Sequence, residues 1–337
     1  MLSVAVISIN ASAKIWRINN NPGVMADFSD PQNAINSASV HNDDTLYFEA
    51  SPTVYNGFTL TKRLVLIGLG YFINGSYVNP GLQASTTNAV LSSLTIDTLG
   101  SGSQIIGLEM PPISANTSGV GADNITFTRC YLGFFNGGAT PQKGYVAKNW
   151  KINKCFIAWP FYGYSINPDS WQITNSIFLS SFVLNSPNTI NCLLRNNFFN
   201  QDVQIFNVYF ANNIIPSAGF TRSNCTVKNN TSTGSAFTDP LDLANGNNNE
   251  SVASVFIGGN PYIDNYYRLN PTYESSAAAD GETVNGVTVK RGPFGTADPY
   301  RLSGIPAIPS IYTFTVPASV ASTATTMPVT ISTRSNN

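Results

Sequence analysis

The side chains best suited to chemistry in this chain are three cations and a tyrosine that belong to one repeated motif. An eight-residue motif occurs six times between Ile125 and Ser232, with the pattern apolar, any, apolar, any, polar, small polar, any, usually apolar. The copies begin at Ile125, Trp150, Trp171, Cys192, Val208 and Cys225. Its second and fourth positions face outward if the motif folds as a strand with its first and third positions inward. These outward positions include Lys151, Arg195, Tyr209 and Lys228. A lysine or arginine there could abstract a proton next to a uronate carboxylate while a tyrosine protonates the leaving oxygen. That would be a metal-free polysaccharide lyase.

The twelve outward positions contain no aspartate or glutamate. A Ca²⁺-dependent lyase needs clustered carboxylates, and a glycoside hydrolase needs two carboxylates on one face. Scattered aspartates such as Asp169 and Asp202 are typical of turns. The residues therefore predict no metal site and no cofactor. Two interpretations of the cations stay open: groups that bind and process an acidic glycan, or an ordinary solvated face.

A second candidate is a run of aromatic residues between the second and third copies of the motif. Trp159, Tyr162 and Tyr164 lie within six residues of one another. Aromatic rings can stack on the faces of sugars, so this segment is a possible glycan platform. The alternative is that the rings fold back over the strands as a small additional core. Together the two sets give seven candidate substrate-binding residues: Lys151, Arg195, Tyr209, Lys228, Trp159, Tyr162 and Tyr164.

The motif predicts the architecture that must position these side chains. Its steps are 25, 21, 21, 16 and 17 residues, the length of one turn of a solenoid. Apolar residues at the first and third positions form the interior, and asparagine at the fifth and sixth tolerates the left-handed backbone of a tight bend. With coils about 4.8 Å apart, sixth-position amides can form a ladder. The sixth position is occupied by Cys130, Cys155, Ser176, Asn197, Asn213 and Asn230.

A helical solenoid does not fit, because the periods are short and β-branched and aromatic residues dominate. We therefore predict an all-β chain folded as a parallel β-helix, with Trp150 and Trp171 in its core. Four cysteines have two interpretations. They are buried thiols that stack as small side chains, or Cys130 and Cys155, on adjacent coils, form a disulfide.

The ends of the chain predict different structures. Asp30 and Pro31 form the start of a short helix that would cap the solenoid. We predict strands at residues 45–49, 64–68, 94–97 and 103–108, and loops at residues 133–146, 158–167 and 241–249. The resulting division is a signal-peptide remnant at residues 1–13, a capped β-helix at residues 14–280, and an extended tail at residues 281–337 that packs on or closes the solenoid.

Composition limits the partners. Only 10% of residues are charged and the net charge is −1, which argues against nucleic acid or an anionic membrane as the main partner. Leu2 to Ile9 resemble the end of the apolar core of a signal peptide, and Ala11-Ser12-Ala13 fits its cleavage site, although a first strand capping the solenoid is the alternative. No apolar run is long enough to span a membrane.

Taken together, these features resemble secreted right-handed parallel β-helix proteins of Gram-negative bacteria, in the pectate-lyase-like superfamily. The likeness depends on the opening around Ala26-Asp-Phe28 and Leu66-Ile67-Gly68, on the Asn-Asn coils, and on the end around Phe294-Gly295. It implies export and a β-helix fold, whereas the superfamily mixes lyases, hydrolases, isomerases and adhesins. We expect a secreted or cell-surface protein that is non-catalytic, structural or adhesive, and contacts extracellular polysaccharide or other surface components. The alternative is a polysaccharide lyase or glycoside hydrolase.

Overall fold

The chain folds as a parallel β-solenoid, as predicted. The computed structural model describes residues 13–74, 78–115, 121–136, 145–163, 166–216, 219–284 and 286–336. Two parallel sheets run along the solenoid axis, and successive coils contribute neighbouring strands to each. The first thirteen residues, except Ala13, lie outside the described part, so the predicted signal segment stays a prediction.

The first sheet has ten parallel strands in chain order. Their burial alternates between interior and solvent, because successive side chains of a strand point to opposite faces. The strands are Ile15–Ile18, Thr45–Phe48, Val65–Ile67, Gln104–Ile106, Thr126–Thr128, Lys151–Asn153, Gln172–Thr174, Cys192–Arg195, Val208–Ala211 and Thr226–Lys228.

The second sheet has fourteen strands and divides into two arms at Tyr131–Asn136. One arm follows the end of each motif, and the other follows the next stretch of each coil. The strands are Phe58–Leu60, Leu94–Ile96, Glu109–Ala115, Tyr131–Asn136, Phe156–Ile157, Phe161–Tyr162, Ile177–Phe178, Phe182–Leu184, Phe198–Phe199, Val203–Phe206, Ile214–Ile215, Phe220–Ser223, Thr231–Ser232 and Asn248–Asn249.

The remaining elements are short. Tyr145–Lys148 pairs in parallel with Ile166–Asp169, and two antiparallel hairpins follow the solenoid, Asp280–Val284 with Val287–Lys290 and Ser310–Thr315 with Thr330–Arg334. The α-helices are Pro31–Asn36, Pro240–Ala244, Val252–Val255 and Pro271–Glu274. The 3₁₀ helices are Thr98–Gly100, Asp264–Tyr267, Ala277–Ala279 and Leu302–Gly304.

The first helix begins as the sequence predicts. The Asp30 side chain accepts a hydrogen bond from the Asn33 amide at 3.1 Å, and Pro31 occupies the first helical turn. Ala34 and Ile35 are buried in the main core. The four strands predicted ahead of the motif are also present.

Three predicted loops are wrong in part, because each contains regular structure. Strand Tyr131–Asn136 enters the first loop, strands Phe161–Tyr162 and Ile166–Asp169 occupy the second, and helix Pro240–Ala244 with strand Asn248–Asn249 occupies the third. The hydrogen-bond partners of these strands belong to neighbouring coils. Local sequence therefore did not reveal them.

The interior is a column of apolar side chains. Trp150 and Trp171 are fully buried, with ring centroids 5.0 Å apart and planes 5° from parallel. Each indole N–H donates to a backbone carbonyl at 2.7 Å, that of Ala122 and that of Ala147. Because the polar end of each ring is satisfied, the tryptophans are core residues, as predicted.

Sixth-position residues of the motif form one column, as predicted, and those from Cys130 to Asn230 are fully buried. The Asn197 amide donates to the Asn213 carbonyl at 3.1 Å, Asn213 donates to Asn230 at 3.1 Å, and Asn230 donates to Asn247 at 2.9 Å. Asn247 thus extends the ladder one coil beyond the predicted motif. Each amide oxygen also accepts a backbone N–H of the preceding coil.

Within the eight positions of the motif, left-handed backbone occurs at the fifth, whereas the sequence assigned it to the fifth and sixth together. It also recurs at the residue just before each copy: Asn124, Asn149, Ser170, Asn191, Asn207 and Asn224. Fifth-position φ angles lie between 50° and 58°. The residues are Arg129, Lys154, Asn175, Asn196, Asn212 and Asn229. The two asparagines of a pair therefore have different roles: one makes the bend and the other forms the ladder.

All four cysteines are free thiols. Cys130, Cys155 and Cys192 are buried and Cys225 is half-buried, so the stacked-thiol interpretation is confirmed for three of them. The Cys130 amide donates to the Cys155 sulfur at 3.5 Å, and burial raises the pKa of the Cys155 thiol. Cys130 and Cys155 thus continue the ladder with sulfur in place of an amide.

A second apolar core lies outside the solenoid. The seventh motif position faces outward from the second sheet. Its apolar residues are covered by two stretches after the solenoid, residues 250–279 and 291–305, which we call the covering segment, and Tyr71 and Phe72 join the same core. The seventh-position residues in this core are Tyr131, Phe156, Ile177, Phe198 and Ile214.

A buried carboxyl ties this second core together. Asp264 accepts from the Asn79 amide at 2.6 Å, from the Ser303 backbone N–H at 2.6 Å and from the Tyr300 hydroxyl at 3.0 Å. The Tyr300 hydroxyl also bonds to that of Tyr71. Burial raises the pKa of Asp264 to about 6 despite these hydrogen bonds.

Candidate functional site

The structure separates the predicted cations into two places on the first sheet. Arg195 pairs in register with Ala211, and Ala211 pairs with Lys228, so the two cations flank Ala211. Tyr209 lies on the same strand as Ala211 and points to the same side. Lys151 lies three strands from Tyr209 and is not part of this group.

A carboxylate from outside the motif completes the group. Glu282, in hairpin strand Asp280–Val284, lies 2.9 Å from the Arg195 guanidinium and 2.8 Å from Lys228 Nζ. The Tyr209 hydroxyl donates to the same carboxylate. The side-chain carbonyl of Asn212 accepts a hydrogen bond from the Glu282 backbone N–H at 3.0 Å. The Glu282 carboxylate thus contacts three of the residues predicted from the sequence, Arg195, Tyr209 and Lys228. We call these four residues the Glu282 cluster.

The electrostatics of the cluster oppose base catalysis by Lys228. The hydrogen bonds that Lys228 makes with Glu282 and Tyr209 raise its pKa, whereas a general base at neutral pH needs a lowered one. Burial by itself raises the pKa of Glu282, but the hydrogen bonds from Lys228 and Tyr209 and the charge of Arg195 hold it below its ordinary value. The arrangement is a charged contact that fastens the hairpin to the sheet.

Lys151 is exposed and lines a shallow depression with polar neighbours on three successive coils. The lining residues are Asn124, Thr126, Asn149, Ser170 and Gln172. No carboxylate lines this depression among the described residues, so it offers hydrogen bonds and one cation but no acid–base pair.

The predicted aromatic residues also differ in their surroundings, because one is exposed and another is partly buried. Trp159 is 60% exposed, so this ring does not fold back over the strands. Tyr162 is half-buried in strand Phe161–Tyr162, and Phe161 beside it is fully buried in the main core. Tyr164 lies outside the described residues.

One aromatic surface was not predicted from the sequence. A cleft of about 540 Å³ lies where the covering segment meets the second sheet, and Phe72 from an N-terminal loop closes one side. Phe198 forms part of its floor, with Tyr267 at 4.6 Å and Phe256 at 4.9 Å between ring centroids. Tyr262, 63% exposed, stands at the rim. We call this space the aromatic cleft.

Amide side chains complete the cleft on the solenoid side. Asn200 and Gln201 line it and are exposed, immediately after strand Phe198–Phe199. Ala158, directly before Trp159, also lines it. Because corners of equal length stack in register, Trp159 lies two coils from Gln201 in one column, about 10 Å away. Rings and amides therefore share one surface.

A sequence signal for this cleft existed in the seventh motif position. Apolar residues recur there although the neighbouring eighth position already supplies the interior. An apolar outward column must be covered or bind something. The sequence does not show which segment covers this apolar column or where a gap is left. Both depend on contacts between residues more than fifty positions apart in the chain.

The described residues contain no group of three or more histidine, cysteine, aspartate or glutamate side chains placed to hold a metal ion. No described helix combines the length and the apolar character needed to cross a bilayer. Comparison of the chain with protein-family models, with curated proteins and with solved structures found no match.

Proposed function

We propose that this protein is a secreted or cell-surface β-helix, similar in fold to the pectate-lyase-like superfamily, and that it binds glycan without processing it. The observation that carries the proposal is the aromatic cleft, with exposed Tyr262 at its rim and the Asn200 and Gln201 amides beside it. Rings stack on the apolar faces of sugars, and amides exchange hydrogen bonds with their hydroxyls.

The side chains that the structure describes at the two candidate surfaces favour a binding role. The first-sheet donors Arg195, Tyr209 and Lys228 are already engaged by Glu282. In the cleft, the described lining residues include no carboxylate, histidine or cysteine. Binding by stacking and hydrogen bonding needs none of these groups.

Glycan binding is tested on an array of neutral and acidic polysaccharides with the wild-type protein, Tyr262→Ala and Trp159→Ala. We expect each substitution to weaken binding at least about fivefold, since a stacked ring contributes roughly 1 kcal/mol. Phe314→Ala, an exposed ring on the terminal hairpin, is the matched control and should bind as the wild type does. Equal binding by all four proteins would remove the cleft from consideration.

The enzymatic alternative is tested on the same polysaccharides by following release of unsaturated or reducing ends. We expect no turnover. Turnover that disappears in Arg195→Ala and Lys151→Ala but persists in Tyr262→Ala would show a lyase or hydrolase on the first sheet.

Export is tested by expressing the full chain in a Gram-negative host and sequencing the N-terminus of the mature product. Cleavage after Ala13 with recovery outside the cytoplasm is the expected result. An uncleaved cytoplasmic product would favour the first-strand interpretation of this segment.

A further inference from the structure

A second pocket, sharing no lining residue with the aromatic cleft, is lined by three arginines. Arg268 follows the 3₁₀ helix Asp264–Tyr267, Arg301 follows buried Tyr300, and Arg334 ends the strand Thr330–Arg334. The pocket has a volume of about 370 Å³, and no described residue that lines it is an aspartate or glutamate. The chain thus brings three guanidinium groups from distant positions to one concave surface.

Much of the hydrogen-bonding capacity of these groups is unused. Arg268 is exposed, and its guanidinium has no hydrogen-bond or ion-pair partner among the described residues. Arg334 donates to the Leu82 carbonyl at 2.6 Å and lies over the Tyr312 ring. The Nε atoms of Arg301 and Arg334 are both buried without a partner.

The nearby carboxylate does not neutralise the pocket. Asp298 lies 3.9 Å from the Arg301 guanidinium but 2.5 Å from Lys154 Nζ, so its charge is already shared with a buried lysine. The hydrogen bond from Lys154 is the main cause that lowers the pKa of Asp298. The positive charge of Arg301 is therefore only partly compensated.

A fourth arginine lies behind the pocket. Arg129 is buried and donates to the carbonyls of Ile305 and Asn336, both of which line the pocket. Burial lowers the pKa of Arg129, and the charge of Arg301 lowers it further. The buried acid Asp264 makes its hydrogen bonds to Asn79, Tyr300 and Ser303 and to no arginine.

We propose that Arg268, Arg301 and Arg334 form a binding site for an oxyanion, a carboxylate or sulfate group. A guanidinium presents a planar set of donors that matches such groups in two-point contacts. Several cations gathered with only partial counter-charge repel one another, and an anion in their midst lowers that cost. The site goes beyond glycan stacking in the cleft and does not depend on it.

The same oxyanion chemistry has two sources, a free inorganic anion and the acidic group of a sugar. Isothermal titration with sodium sulfate, sodium glucuronate and glucose, at constant ionic strength, distinguishes them. We expect the wild type to bind both anions and not glucose. Binding of sulfate alone would keep the site and assign it to a free anion.

The variants are Arg268→Gln and Arg301→Gln, and the control is Arg63→Gln, an exposed arginine paired with Asp43 on the solenoid. We expect each pocket variant to lose at least about tenfold in anion affinity and the control to lose none. Because Arg268 is exposed, its variant should retain the fold, which circular dichroism verifies. Unchanged affinity in Arg268→Gln and Arg301→Gln, or no anion binding by the wild type, would overturn the site. Loss of array binding in Tyr262→Ala tests the cleft separately.

Discussion

Chain that follows the solenoid packs on the outer faces of both sheets, but by opposite means. The first sheet meets the hairpin strand Asp280–Val284 through the Glu282 cluster, in which one carboxylate pairs with Arg195 and Lys228. The second sheet meets the covering segment through rings such as Phe198 against Tyr267. In the charged contact, Arg195, Tyr209 and Lys228 are already engaged by Glu282. The apolar contact leaves an open cleft of about 540 Å³ between the covering segment and the sheet.

Phe198→Ala should have the largest effect and tests whether the apolar cover depends on packing. Phe198 is buried between Phe256 and Tyr267, so its removal should lower the free energy of unfolding by about 3–5 kcal/mol in urea titrations. Glycan binding should weaken as well, because this ring lines the cleft. Phe314→Ala, 57% exposed on the terminal hairpin, is the control. A loss no larger than in the control would mean that the cover is not held by this core.

Asn213→Ala should have the next largest effect and should disturb both covered faces together, because the ladder lies at the corner between the sheets. The Asn213 carbonyl accepts from the Asn197 backbone N–H at 2.9 Å and side-chain amide at 3.1 Å. Leaving these buried donors without an acceptor should cost about 2–4 kcal/mol of unfolding free energy. The exposed Asn185→Ala variant should be near neutral. A cost below about 1 kcal/mol would show that the column is not a source of stability.

Glu282→Gln should cost about 1–2 kcal/mol, because the groups left without their counter-charge are partly exposed. The loss of unfolding free energy in Glu282→Gln should become smaller as salt is added, since salt screens partly exposed charges. The loss in Phe198→Ala should not change with salt. Exposed Glu274→Gln is the control. Equal salt dependence in Glu282→Gln and Phe198→Ala would erase the proposed difference between the two faces.

The smallest effect concerns Asp264, a carboxyl beneath the apolar cover. Burial raises the pKa of Asp264 to about 6 in the folded chain, against an ordinary value of 3.8, so the native state binds more protons between these values. The free energy of unfolding should therefore gain about 1 kcal/mol from this group as the pH falls from about 7 to about 5. Asp264→Asn should lose that dependence, whereas exposed Asp202→Asn should keep it. An unchanged pH profile in Asp264→Asn would place the titration elsewhere.

Much of the fold is determined by local sequence. The period of the motif, the alternation of its first four positions and the Asn-Asn pairs were sufficient to predict the solenoid, the buried Trp150 and Trp171 and the sixth-position column. Repetition makes this possible, because every coil has the same kind of neighbour and each residue meets its equivalent one coil away.

The candidate site was only partly predictable, for the opposite reason. Arg195, Tyr209 and Lys228 do come together, but Glu282, which engages all three, belongs to a hairpin outside the motif. The aromatic cleft and the arginine pocket likewise depend on where the non-repeating segment after the solenoid lies. Such a segment has no period to fix its register, so only tertiary packing decides which of its side chains meet the repeated strands.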